Sequence, residues 1–163
     1  MSSSALRFSV DLAKVEAMGT LPPYSPDAMA AYVKLGLSSE DRLYYQLVGE
    51  LSLGSAAFKP GSHLCMKGQP AHDAYVVRQG ELDVQIDGAS YRVGPGAVIG
   101  LASGLADRPH NMTATAVTVV TASVIPIFKA LKAFAGCHPG LRGINRSTVM
   151  RILQLGAVPE SLK

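Results

Sequence analysis

The chain has 163 residues, with 15 Lys and Arg against 12 Asp and Glu and a formal charge of +3. This length buries the core of one ordinary domain without disulfides or a structural metal, and its basic residues are scattered rather than gathered into the patch that nucleic acid requires. Cys65 and Cys137 are the two cysteines, with no C-x-x-C spacing, which excludes a disulfide framework and a zinc site and points to a reducing, cytoplasmic setting.

At the N-terminus, Arg7, Asp11 and Lys14 interrupt every apolar run, so no signal-peptide core is expected. No stretch approaches the roughly 18 apolar residues of a membrane span, and no membrane contact is expected. Residues 1–24 read as a lead segment and linker, closed by Pro22, Pro23 and Pro26. Residues 25–157 read as the domain. Its helices are expected over 26–51. Ser25 caps the first, Pro26 occupies its first position and Gly36 stops it. Ser38 and Asp41 have the spacing of a capping box, after which Leu43, Tyr44, Leu47, Val48 and Leu51 recur at helical period.

Residues 57–127 change texture to short period-2 runs separated by Gly, Pro, Asn and Asp. "AYVVR", "ELDVQI" and "SYRVG" read as strands, with Asp87-Gly88 as a tight hairpin between the last two. The Thr- and Val-rich residues 112–127 supply one or two more. Helical patterning returns over 128–155, where Leu141, Val149, Ile152 and Leu153 share a face. The fold class is therefore mainly β with flanking helices, a closed roll that removes its own sheet edges.

Phe58, Pro60-Gly61, Leu64, Gly68, Tyr75-Val76-Val77, Gly80, Val84, Gly96 and Ile99-Gly100 fall in an order and spacing that resembles the cyclic nucleotide-binding domain family. The resemblance covers about residues 38–156. It implies a double-stranded β-helix, or jelly-roll barrel, and a regulatory module rather than an enzyme. It also implies a phosphate-binding cassette beginning at Gly100, whose short helix turns its first N–H groups toward a cyclic phosphate.

The stretch "GLASGLADRPHNMTATA", residues 100–116, matches the cassette without a gap. The family's ribose-binding Glu is matched by Leu101 and its phosphate-binding Arg by His110. Each charge-assisted contact contributes roughly 1.5–3 kcal/mol, so losing both weakens cyclic AMP or cyclic GMP binding by about two to four powers of ten. Leu101 is expected to fill the former ribose site as a core residue. His110 regains an anion-binding charge only when protonated, Arg108 is placed to substitute for the lost cation, and Gly104 loosens the short helix by up to about 1 kcal/mol. The ligand-binding residues expected are Gly100, Leu101, Ala102, Ser103, Arg108, His110 and Asn111, and no obligate cofactor is expected.

Other chemistry lacks its sequence signatures. His63, His72, His110 and His138 lack the H-x-H pair and following carboxylate of a metal-binding roll. Glu81 and Asp83 read as a solvated strand face, and Cys65 has no partner that marks a nucleophile. The functional expectation is a small-molecule sensor with weakened or altered cyclic nucleotide binding. The alternative is a ligand-independent scaffold whose terminal helices bind a protein partner or a second copy.

Overall fold

The computed structural model describes residues 8–50 and 53–163; Leu51 and residues 1–7 of the expected lead lie outside them. The strands are β1 (Gly54–Phe58), β2 (His63–Cys65), β3 (Asp73–Gln79), β4 (Leu82–Ile86), β5 (Ala89–Val93), β6 (Val98–Ile99), β7 (Thr113–Ala116) and β8 (Val120–Pro126). They form two four-stranded sheets, ordered β1-β8-β3-β6 and β2-β7-β4-β5, in which every pairing is antiparallel. The two-residue turn between β4 and β5 is Asp87-Gly88, with φ of 51° and 78°, the mirror-image geometry that matches the twist of a hairpin.

Alternation along the first sheet divides the apolar interior in two. Val77, Ile99 and Val120 face into the roll, where they meet Leu82, Val84 and Met112 from the other half. Ala74, Val76, Val98 and Ile125 turn the other way and pack beneath the helices. These are α1 (Leu12–Ala17), α2 (Pro26–Leu35), α3 (Ser39–Glu50), α4 (Leu101–Leu105), α5 (Ile127–Gly136) and α6 (Pro139–Leu153), followed by a short 3-10 turn at Glu160–Leu162.

The local signals explain where the first helices begin and end. The Ser25 hydroxyl accepts from the Ala28 N–H, and Gly36 ends α2 in the left-handed conformation at φ 68°. At the start of α3 the capping box is reciprocal: the Asp41 N–H donates to Ser38 Oγ at 3.1 Å, and the Ser38 N–H donates to Asp41 Oδ2 at 3.0 Å. Such a cap contributes about 1 kcal/mol.

Residues 8–18, within the expected lead segment, pack onto the domain. Phe8, Val10, Val15 and Met18 are buried in the helix-side core. Ser9 bridges Ala97, and the Val10 N–H donates to the Gly96 carbonyl at 2.8 Å. Two acids of α3 hold the same segment, Glu40 by accepting from the Ser9 N–H and Asp41 from the Asp11 N–H, each at 2.8 Å. These apolar residues lack periodicity because their partners are supplied by the rest of the fold. The C-terminus also folds back: Leu162 is fully buried, and the Ser161 hydroxyl donates to the Leu105 carbonyl at 2.6 Å.

In α6 the buried face comprises Val149 and Ile152 but also Asn145 and Thr148. Thr148 donates to the Ile144 carbonyl within its own helix. Asn145 is fully buried, and neither its Oδ1 nor its Nδ2 has a hydrogen-bond partner. A buried amide without partners costs stability that an apolar side chain of similar size does not. Asn145→Leu is therefore expected to raise the free energy of unfolding by about 1–2 kcal/mol, read from urea denaturation; a lower midpoint would contradict this.

Candidate functional site

The cassette is built on a turn that only glycine makes easily. Gly100 follows β6 and caps the five-residue helix α4, at φ 85° and ψ −3°. A Cβ at this position would lie 2.7 Å from Cε1 of His110 and 3.3 Å from the Asp73 carbonyl oxygen. The imidazole of His110 therefore packs directly against the bare Cα of Gly100. Its backbone is fixed from both sides, since the His110 N–H donates to the Gln69 carbonyl and its own carbonyl accepts from the Gly68 N–H, both at 2.9 Å.

All five residues of α4 are buried. Leu101 is 5% exposed and belongs to the helix-side core, where it shares a small void with Phe8, Leu43, Val76 and Ile125. Leu101 is a core residue, but its side chain is turned toward α3 and the N-terminal segment rather than into the roll. Gly104 is filled from outside: a Cβ there would lie 2.2 Å from Cδ1 of Ile127 at the start of α5. The short helix is thus locked by an isoleucine from the next element, which offsets the flexibility expected of Gly104.

The remaining candidates divide between two places. Gly100, Ala102, Ser103 and Asn111 border a cavity of about 10 Å³ that is closed by Phe8, Met112 and Ile152. That is room for about one water molecule. The Ser103 hydroxyl is within 3.3 Å of the Asn111 carbonyl oxygen, so the two polar side chains bond each other. Arg108 is exposed and borders a different cavity of about 560 Å³, together with His72, Asp107, Ile127 and Phe128. The structure brings Gly100, Ala102, Ser103, His110 and Asn111 together, and sets Arg108 and the Leu101 side chain apart.

His110 is 7% exposed, and its Nδ1 is buried without a hydrogen-bond partner. Burial, together with the nearby charge of His72, pushes its pKa below the ordinary 6.5. The neutral ring is the form this pocket holds at pH 7. The role of His72 was not legible in the sequence, since 38 positions of chain and no motif separate it from His110.

The depressed pKa fixes the sign of a pH effect. The unfolded chain takes up a proton near its ordinary pKa while the buried ring resists it, so the unfolded state binds more protons below about pH 6.5. The His110 contribution is complete above that value and is lost as pH falls toward the folded-state pKa. Wild-type urea midpoints are expected to fall more steeply between about pH 7.5 and pH 5.5 than those of His110→Gln; equal slopes would contradict the burial of an uncharged ring.

Elsewhere the titratable groups serve the framework. Burial pushes the Cys65 thiol up to about 11, which keeps it protonated and unreactive. His63 Nδ1 pairs with the Thr115 hydroxyl at 2.9 Å, and His138 Nδ1 accepts from the Gly140 N–H at 3.1 Å. Among the described residues no three His, Cys, Asp or Glu side chains gather as metal ligands, and no helix is long and apolar enough to cross a membrane.

A roll of two antiparallel sheets with a buried turn-and-helix between β6 and β7 defines a jelly-roll module flanked by helices. Residues 56–135, a span that contains the whole cassette, match the model of the cyclic nucleotide-binding domain. Among solved structures it is similar to the EAL enzyme Bd1971 in its cGMP-bound form, at 13% identity and a TM-score of 0.56, covering 61% of this chain and 28% of that one. The cAMP-bound form of the same enzyme gives 13% identity and a TM-score of 0.54 over the same shares. A cAMP-binding acyltransferase from Mycobacterium smegmatis gives 21% identity and a TM-score of 0.47, covering 86% of this chain and 39% of that one. The chain thus spans well under two thirds of these proteins, and the likeness to Bd1971 shows the fold. No curated protein sequence matches the chain.

Proposed function

We propose that this domain is a non-catalytic, cytoplasmic small-molecule sensor in which binding of cyclic AMP or cyclic GMP is weakened. The observation that carries the reading is the state of the two anchor positions inside a family-matched cassette. Leu101 is committed to the helix-side core, and His110 presents a buried ring whose pKa is held below 6.5. What remains for an anion is backbone N–H groups and the Ser103–Asn111 pair, beside a space of about 10 Å³. Entry of a nucleotide therefore requires the cassette to open, and no fixed cation repays that cost.

Calorimetric titration with cyclic AMP and cyclic GMP tests this. Wild type is expected to bind in the millimolar range, and His110→Arg to bind about tenfold to a hundredfold more tightly, the value of one charge-assisted contact. Micromolar binding by wild type would overturn the weakening, and an unchanged affinity in His110→Arg would remove the cassette as the site.

A second reading has its own observation. Val33 is 75% exposed, Phe128 71% and Ile144 55%, all on the helices expected to meet a protein partner or a second copy. Light scattering that shows a dimer, with no heat from either nucleotide at millimolar concentration, would favour the scaffold.

A further inference from the structure

Away from the cassette, α2, α3 and the start of α6 enclose a cavity of about 500 Å³, within the range of small-molecule sites. Its apolar wall is built from Met29, Leu37, Leu141 and Ile144, with the Tyr32 ring beside them. Tyr32 is only 2% exposed, and its hydroxyl is spent on the Pro23 carbonyl at 2.8 Å. The ring is therefore part of the packed wall behind Arg42 and contributes no free polar group.

The polar part of the lining consists mainly of donors. Arg42 enters the cavity with its guanidinium 5.3 Å from the Tyr32 ring centroid, and its buried Nε has no hydrogen-bond partner. The described ion pairs join Arg78 to Glu16, Arg92 to Glu81 and Lys163 to Glu160, so none neutralises Arg42. The adjacent Asp41 is occupied by the Ser38 and Asp11 N–H groups. Gln46 takes the Cys137 thiol on its carbonyl oxygen at 3.0 Å, which leaves its amide protons. His138 accepts from the Gly140 N–H through Nδ1, which places the ring proton on Nε2. No carboxylate lines the cavity.

We infer that this cavity is a second ligand site, independent of the cassette, for a small molecule with an apolar body and a single carboxylate. The body lies against the aliphatic wall, where Met29 and Ile144 are exposed, and the carboxylate meets Arg42, whose planar fork suits it. The ligand supplies the acceptor that the buried Nε lacks, and an unpaired cationic donor favours such an oxygen over water-free contact with an apolar group.

The test is calorimetry of the whole chain with three probes of one shape: naphthoate, naphthalene methanol and naphthylmethylamine. Naphthoate is expected to bind at least tenfold more tightly than the alcohol, with the amine weakest. Arg42→Gln is expected to bring naphthoate down to the level of the alcohol, whereas Arg42→Lys retains part of the preference. Saturating cyclic AMP leaves naphthoate binding unchanged. Equal affinity for acid and alcohol, no binding of naphthoate, or an Arg42→Gln variant that binds it as wild type does would each overturn the assignment. If Arg42→Gln does not fold, the comparison of the three probes on wild type still decides.

Discussion

Leu101→Glu, the substitution that would restore the family's ribose-binding carboxylate, is expected to cost about 4 kcal/mol or more of stability rather than to create an affinity. Leu101 is 5% exposed and sits among Phe8, Leu43, Val76 and Ile125. Removing a buried leucine side chain costs about 2–5 kcal/mol, and a carboxylate in its place must either be desolvated or take up a proton. Glu40 borders the same void, and its carboxylate already accepts the Ser9 N–H. A second acid beside it adds like-charge repulsion, and no cation lines that void. Urea unfolding at neutral pH measures the loss, with Leu101→Met, expected to cost under about 1.5 kcal/mol, as the volume-conserving control. A Leu101→Glu protein with a wild-type midpoint would mean that the side chain can turn into the roll, and the account of the first anchor would fail.

Gly100→Ala is expected to lose about 2–3 kcal/mol, from two sources that can be separated. The residue stands at φ 85°, where an L side chain costs about 1–2 kcal/mol. The rest comes from the 2.7 Å approach of the new Cβ to His110 Cε1. The ring cannot simply retreat, because the backbone of His110 is tied to Gly68 and Gln69 by a hydrogen bond on each side. In the His110→Ala background the steric part should vanish while the backbone part stays, so a double-mutant cycle reads the contact directly. Additive losses would show that the ring does not pack on Gly100.

Much of the fold was legible because its signals are local. The Ser25 cap, the Gly36 stop, the reciprocal Ser38–Asp41 pair and the Asp87-Gly88 turn each act within a few residues, and each is found as the sequence implies. The residue order from Phe58 to Gly100 carried the family, because the roll needs glycines and alternating apolar residues at set places.

What escaped the sequence depends on distant partners. Residues 8–18 show no period, yet Phe8 and Val10 are core residues because Ala97 and α3 receive them. The direction of Leu101 was equally hidden: alignment places it at the ribose position, but α4 has only five residues between two cores, and its rotation is set by Gly100 and Ile127. Arg108 stands two positions before His110 and yet borders a different cavity, because the Asp107 turn, at φ 54°, carries it outward. The pairing of Ser103 with Asn111 is likewise a product of the fold, and it consumes polarity that the sequence offered to a ligand.

The central claim is that the cassette keeps its frame while lacking a fixed charge for a cyclic phosphate. A two-dimensional amide NMR titration of the wild-type chain with cyclic AMP tests it most directly, since it reads affinity and place together. The account predicts fast-exchange shifts concentrated over Gly100–Asn111 that remain unsaturated at about 1 mM nucleotide. Saturation in the micromolar range, or shifts that leave those residues untouched, would contradict it.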